Sequence, residues 1–169
     1  MIVFVFPYKN NDSFYIAPDT VICKEQDYYY PDEVRTVRVI PFVYAKISRA
    51  GKCVAAKFAS RHYNSIGYGI HLKPGLMTRA VPREEVEALC KYCDNNLYLG
   101  ALSERSEFSY DITGTPTIAD LDKAVETTSE YVSLRVGDII AIEYEPIGTV
   151  DVVTEKQTLQ FKDININIR

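Results

Sequence analysis

The chain has 169 residues, with 19 Lys+Arg against 23 Asp+Glu and a net charge of −4. That length suits one domain, able to bury about 70% of its unfolded surface without help from disulfides or metal. A mild acidic excess argues against phosphate-backbone binding, and no apolar run nears the roughly 20 residues of a bilayer span, so neither nucleic acid nor membrane is an expected partner.

Ile2 to Phe6 is rich in Val, Ile and Phe and reads as a strand. It has no basic n-region and no small-residue cleavage site. A cytoplasmic setting is therefore expected, with Cys23, Cys53, Cys90 and Cys93 as reduced thiols. Val34 to Ser48 is β-branched and apolar, a second strand. Alternation puts Val37, Val39, Val43, Ala45 and Ile47 on one face, and Ile40, Phe42 and Tyr44 on the other. Pro41 lacks a ladder donor and points to an edge or a bulge. Arg49 to Lys52 reads as a turn, and Val54 to Tyr63 as a short helix.

Pro82 to Cys93 is the clearest helix. Proline suits its first position, and Glu84, Glu85 and Glu87 suit the positive end of its dipole. Val86, Leu89, Cys90 and Cys93 share one face, and Asp94-Asn95-Asn96 stops it. Ile118 to Ser129 is a second helix, with Ile118, Leu121, Val125 and Thr128 inward. Asp138 to Glu145, Thr149 to Val153 and Thr158 to Ile168 read as strands. Strict alternation over Ile164 to Ile168 marks a half-buried strand. The sum is an α+β, strand-rich chain.

No motif for catalysis stands out from spacing alone. Cys90-Lys91-Tyr92-Cys93 is a lone CxxC, without the second ligand pair that zinc needs. On an apolar helix face its thiols behave as small hydrophobes. His62 and His71 are the only histidines. There is no nucleophile elbow, GxGxxG, P-loop or HExxH. Tyr28-Tyr29-Tyr30 reads better as an apolar loop packed on a sheet than as a stacking platform.

Several segments, read in order, resemble the fumarylacetoacetate hydrolase family, in particular its small bacterial isomerase and acylpyruvate hydrolase members. Tyr15-Ile16-Ala17-Pro18-Asp19-Thr20 is similar to FLKPDT, and Tyr29-Tyr30-Pro31-Asp32 to FIPDF. Lys46 to Lys52 follows KISRxGK. Phe58 to Tyr63, then Ile66 to Ile70, resemble FAxRYY…IGxGID. Ser129 to Ile140 resembles SxFFTLKxGDLI. The likeness is collinear from about Phe14 to the C-terminus. It implies one α+β domain over residues 1–169 with a shortened N-terminal part: a strand-rich mixed β-roll of several β-layers with two or three short helices. A homodimer is implied with it.

The family hydrolyses, isomerises or decarboxylates diketo and 2-oxo acids with a divalent metal, usually magnesium, that stabilises an enolate. The metal is held by Glu-x-Glu on a strand and an Asp in the GID segment. Carboxylates at i and i+2 share one strand face. Here those positions fall on Ile40 and Phe42, and the Asp position on His71. The family's N-terminal catalytic histidine has no counterpart, its FLKPD lysine is Ala17, and its TGTP loop after the GD strand is replaced by Glu143-Tyr144-Glu145-Pro146. The literal Thr113-Gly114-Thr115-Pro116 precedes Gly137-Asp138 and sits better over a hairpin turn. The family lysine of AKxFD falls on Lys91, which equally suits a solvated helix end.

The resemblance therefore implies the family fold without its magnesium site, and no cofactor is expected. A former-site pocket would include Ile40, Phe42, Glu143 and Glu145. It would serve a non-catalytic binding or structural role, with a small carboxylic acid as the candidate ligand. The competing reading is a rebuilt hydrolase, isomerase or decarboxylase that uses His71 as base or ligand and Lys91 to hold the substrate, with Glu143 or Glu145 recruited as ligands.

Overall fold

The computed structural model describes residues 1–10, 12–24, 27–75, 82–110, 114–152 and 157–169. In chain order the strands and helices are β1 (Ile2–Phe6), β2 (Tyr15–Pro18), β3 (Asp27–Tyr28), β4 (Thr36–Ile47), β5 (Tyr63–Pro74), α1 (Arg83–Cys90), β6 (Leu97–Glu104), α2 (Ile118–Tyr131), β7 (Ile139–Glu143), β8 (Gly148–Asp151), β9 (Gln157–Phe161) and β10 (Ile164–Ile168). Short 3₁₀ turns form at Asp19–Val21 and Ala56–Arg61. The chain divides into two compact units, and β4, β5 and β6 contribute residues to both.

The first unit comprises Met1–Asp19, Phe42–Tyr68 and Ala101–Glu145. Its sheet is built on β1, which pairs antiparallel with β2 and parallel with β7. In turn, β7 pairs antiparallel with Phe42–Lys46 of β4. Strands with neighbours on both sides and both faces covered read as unbroken apolar runs, as Val3–Phe6 and Ile139–Ile142 do. Phe14 packs its ring against Phe4 and Phe6, at 5.7 and 5.4 Å between centroids.

Helix α2 begins where the sequence places it because Thr117 is its N-cap. The Thr117 Oγ1 accepts the Asp120 N–H, and the Asp120 carboxylate accepts the Thr117 N–H at 2.6 Å, a complete capping box. Leu121, Ala124, Val125 and Thr128 form its buried face. The 3₁₀ turn Ala56–Arg61 packs on this helix, with Glu126 accepting the Ala56 N–H. The sequence pattern predicts an ordinary helix over Val54 to Tyr63. The structure shortens it to a 3₁₀ segment with only Ala59 buried, too little apolar face to sustain longer winding.

The second unit comprises Thr20–Pro41, Gly69–Gly100 and Pro146–Arg169. Thr36–Val39 of β4 pair antiparallel with β8. A separate three-stranded sheet runs β3-β10-β9. The segment expected as one strand from Thr158 to Ile168 is instead a hairpin. Phe161 stands opposite Ile164, and the turn puts Lys162 at φ 53°. Alternation in β10 is as expected, with Ile164, Ile166 and Ile168 buried. Pro41 does not mark an edge strand, since β4 lies between β7 and β5. It falls between the β8 and β7 pairings, where its missing N–H interrupts neither.

Helix α1 starts just after Pro82 and ends at Cys90, with Asn95 in the left-handed region at φ 56°. The expected inward side chains Leu89 and Cys90 lie outside the described residues, and Val86 is half-buried. Thr113 and Val153 also lie outside them. Gly114, at φ 90°, leads with Thr115 and Pro116 into the cap of α2 rather than into a hairpin.

Candidate functional site

The β4–β7 ladder places Phe42 and Glu143 directly opposite each other in the first unit. Phe42 is 0% exposed and Glu143 3%. The Glu143 Oε2 accepts the Tyr8 N–H at 3.2 Å, which ties the segment after β1 to the end of β7. The Phe42 ring packs edge-on to Tyr44, with centroids 6.1 Å apart. At the start of β7, the buried Asp138 accepts two backbone N–H groups, Ile2 at 2.9 Å and Arg135 at 2.8 Å. Its carboxylate fastens β1 to the turn before β7 and is occupied by that role. Glu145, beyond β7, is exposed.

In the second unit His71 is 1% exposed on β5, and its Nε2 lies 3.1 Å from the Asn96 amide nitrogen. With the Asn96 amide donating, Nε2 is the acceptor. Lys73 follows two residues later on the same face and is buried. Ile40 is 3% exposed on β4. Lys91 lies just past α1 and is half-buried, its N–H donating to the Ala88 carbonyl.

The structure thus joins Phe42 with Glu143 and sets His71 against Asn96. A hard divalent cation takes oxygen donors, and the side chains of Ile40 and Phe42 are buried hydrocarbon. These residues do not fit the family's magnesium. Among the described residues there is no group of three or more His, Cys, Asp or Glu placed to hold a metal ion. Cys93 is half-buried, and burial, reinforced by Asp94, pushes its thiol pKa up, away from the reactive thiolate.

A polar cluster in the first unit has no signature in the sequence. Arg105 makes a bidentate pair with Asp122, Nη1 to Oδ1 at 2.7 Å and Nη2 to Oδ2 at 2.8 Å. The buried Tyr63 donates its hydroxyl to the same Asp122 Oδ1 at 2.7 Å, and the Arg105 guanidinium lies 4.7 Å from the Tyr63 ring centroid. Burial first, then the hydrogen bond to Asp122, raises the Tyr63 phenol well above its ordinary pKa. Its hydrogen bond to Asp122 raises the Arg105 pKa as well. These residues come from β5, the end of β6 and α2, so only the fold brings them together.

No family model matches the sequence, and no curated protein matches it. Solved structures do match the fold. The fumarylpyruvate hydrolase of Pseudomonas aeruginosa in complex with Mn²⁺ and pyruvate superposes with a TM-score of 0.68 at 14% identity, over 100% of this chain and 88% of that one. The 5-carboxymethyl-2-hydroxymuconate delta-isomerase of Mycobacterium smegmatis gives 0.63 at 16% identity, over 99% of this chain and 77% of its own. A protein of Yersinia pestis CO92 described as of the fumarylacetoacetate hydrolase family gives 0.65 at 14% identity, over 99% and 90%. The expected α+β, strand-rich architecture and the resemblance read from the sequence motifs agree with these matches: the chain has the fold of the fumarylacetoacetate hydrolase family.

Proposed function

We propose that this chain is a divergent homologue of that family that has lost its metal-assisted chemistry and acts as a non-catalytic small-molecule-binding or structural protein in the cytoplasm. The observation that carries the reading is the pair Ile40 and Phe42. The motif order puts the family's Glu-x-Glu there, and both side chains are buried hydrocarbon. Two further features support it. His71, at the third ligand position, faces the Asn96 amide, and Ala17, at the family lysine position, is buried on β2. A small carboxylic acid is the candidate ligand, and the homodimer implied by the resemblance is the candidate assembly.

One observation favours a second reading, a rebuilt hydrolase, isomerase or decarboxylase of small 2-oxo acids. Glu143 is a buried carboxylate directly across from Phe42. Calorimetric titration of the metal-free chain with Mg²⁺, then Mn²⁺, each with and without pyruvate, separates the two. The first reading expects no saturable metal binding tighter than roughly 1 mM. One-to-one micromolar binding overturns it and directs assays to acylpyruvates and oxaloacetate.

A further inference from the structure

We infer that a cleft of the first unit is a binding site for a small neutral hydroxylated ring compound, of monosaccharide or disaccharide size. The cleft has a volume of about 540 Å³ and is lined by Ser60 of the 3₁₀ turn, the start of β5, the end of β6 with the residues just after it, and Ile118 at the start of α2. That volume falls in the range of small-molecule sites. The inference stands apart from the reading of Ile40 and Phe42, neither of which lines it.

The chemistry of the walls selects the ligand class. Arg105 reaches the cleft with a side chain 22% exposed. Asp122 takes two of its five N–H groups, and the Tyr63 ring covers one guanidinium face. The group is therefore held rigid, and its charge is cancelled locally by Asp122. It still offers N–H donors, but to an uncharged acceptor oxygen rather than to a carboxylate. With Arg105 already paired to Asp122, the lining residue Glu104 leaves these three side chains with a net charge of −1, which disfavours an anion. The cleft is thus unsuited to the keto acids that the fold's hydrolases handle.

The remaining polar groups are Ser60, Asn64 and Ser106. Hydroxyl and amide groups both donate and accept, as the hydroxyls of a sugar-like ring do. Phe108 supplies an aromatic wall whose orientation is set by its neighbours: it stacks on Tyr68, centroids 4.9 Å apart, and meets Tyr110 edge-on at 5.2 Å. The Tyr68 hydroxyl donates to the Ser109 carbonyl at 2.8 Å, which fastens the segment to β5. An aromatic wall for the C–H face of a ring, a rigid donor and groups of double hydrogen-bond character together describe a preorganised site for such a ligand.

The test is a titration of the ¹⁵N-labelled full chain with methyl β-D-glucopyranoside, read by amide chemical shifts. The expected result is saturable shifts at Asn64, Ser106 and Phe108 at millimolar concentration. Glucuronate, the anionic counterpart, is expected to bind at least about fivefold more weakly because of Glu104. Phe108→Ala is expected to weaken binding about tenfold, and Ser106→Trp, on an exposed segment, to abolish it by filling the cleft. Absence of saturable shifts in the parent chain, equal binding of glucuronate, or full binding by Ser106→Trp each overturns the inference. The metal titrations above are unaffected by any of these outcomes.

Discussion

Phe42 on β4 stands directly across from Glu143 on β7, so that the strand register sets an aromatic residue opposite a buried carboxylate. A carboxylate introduced at position 42 puts two acids at opposed positions in a dry environment. Phe42→Glu is expected to lower stability by at least about 3 kcal/mol, from the lost ring and the buried charge together. Glu143→Gln, whose amide oxygen still accepts the Tyr8 N–H, is expected to cost about 1 kcal/mol or less. Urea denaturation of both variants checks the contrast. A Phe42→Glu variant as stable as the parent would mean that Glu143 is not held against the position 42 side chain as described.

His71 serves as an acceptor for Asn96 in the second unit. His71→Leu keeps most of the volume but deprives the Asn96 amide of that partner. The expected cost is about 1–3 kcal/mol, the penalty of a buried polar group that loses its hydrogen bond. The shift of the urea midpoint measures it.

Three buried phenols, Tyr63, Tyr98 and Tyr144, have their pKa raised, in each case with burial as the largest cause. The folded state holds these protons at a pH where the unfolded chain, with phenol pKa near 10, has released them. Their contribution to stability is complete below about pH 10 and falls as pH rises beyond it, by about 1.4 kcal/mol per pH unit for each phenol. Above pH 10 the chain is expected to unfold cooperatively. Phenolate absorbance and circular dichroism should then change together. Early, non-cooperative ionisation of all the tyrosines would contradict their burial.

The capping box at Thr117 gives a smaller and cleaner prediction. Thr117→Ala removes the acceptor for the Asp120 N–H and should cost about 1 kcal/mol, while Thr117→Ser should restore most of it. Thermal melts of the pair test this.

The elements legible in the sequence are those whose pattern is local. Both faces of β4, the alternation of β10 and the span of α2 follow from periodicity and propensity alone. The strands β5 and β6 do not. Tyr63–Pro74 carries Asn64, Gly67, Gly69, His71 and Lys73, which depress strand propensity, yet the strand is almost wholly buried. Gly67 is there for packing: a Cβ would lie 2.6 Å from Tyr44 Cε1. No neighbour in sequence reveals that constraint. Of the site, motif order nominated Ile40, Phe42, His71 and Glu143, but only the strand register shows that Phe42 meets Glu143. The Tyr63–Arg105–Asp122 cluster joins three separate elements and left no trace in spacing.

The parallel pairing of β1 with β7 matches Val3 to Ile139, and β7 lies between β1 and β4. During synthesis, β1 emerges before β7 and waits for it on the order of ten seconds at ordinary ribosomal rates. Until then the run Ile-Val-Phe-Val-Phe can form its hairpin with β2, but its other edge stays open and apolar. The sheet of the first unit therefore closes only after β7 has been made. A nascent chain that stops before Ile139 leaves that edge of β1 unpaired and prone to aggregation.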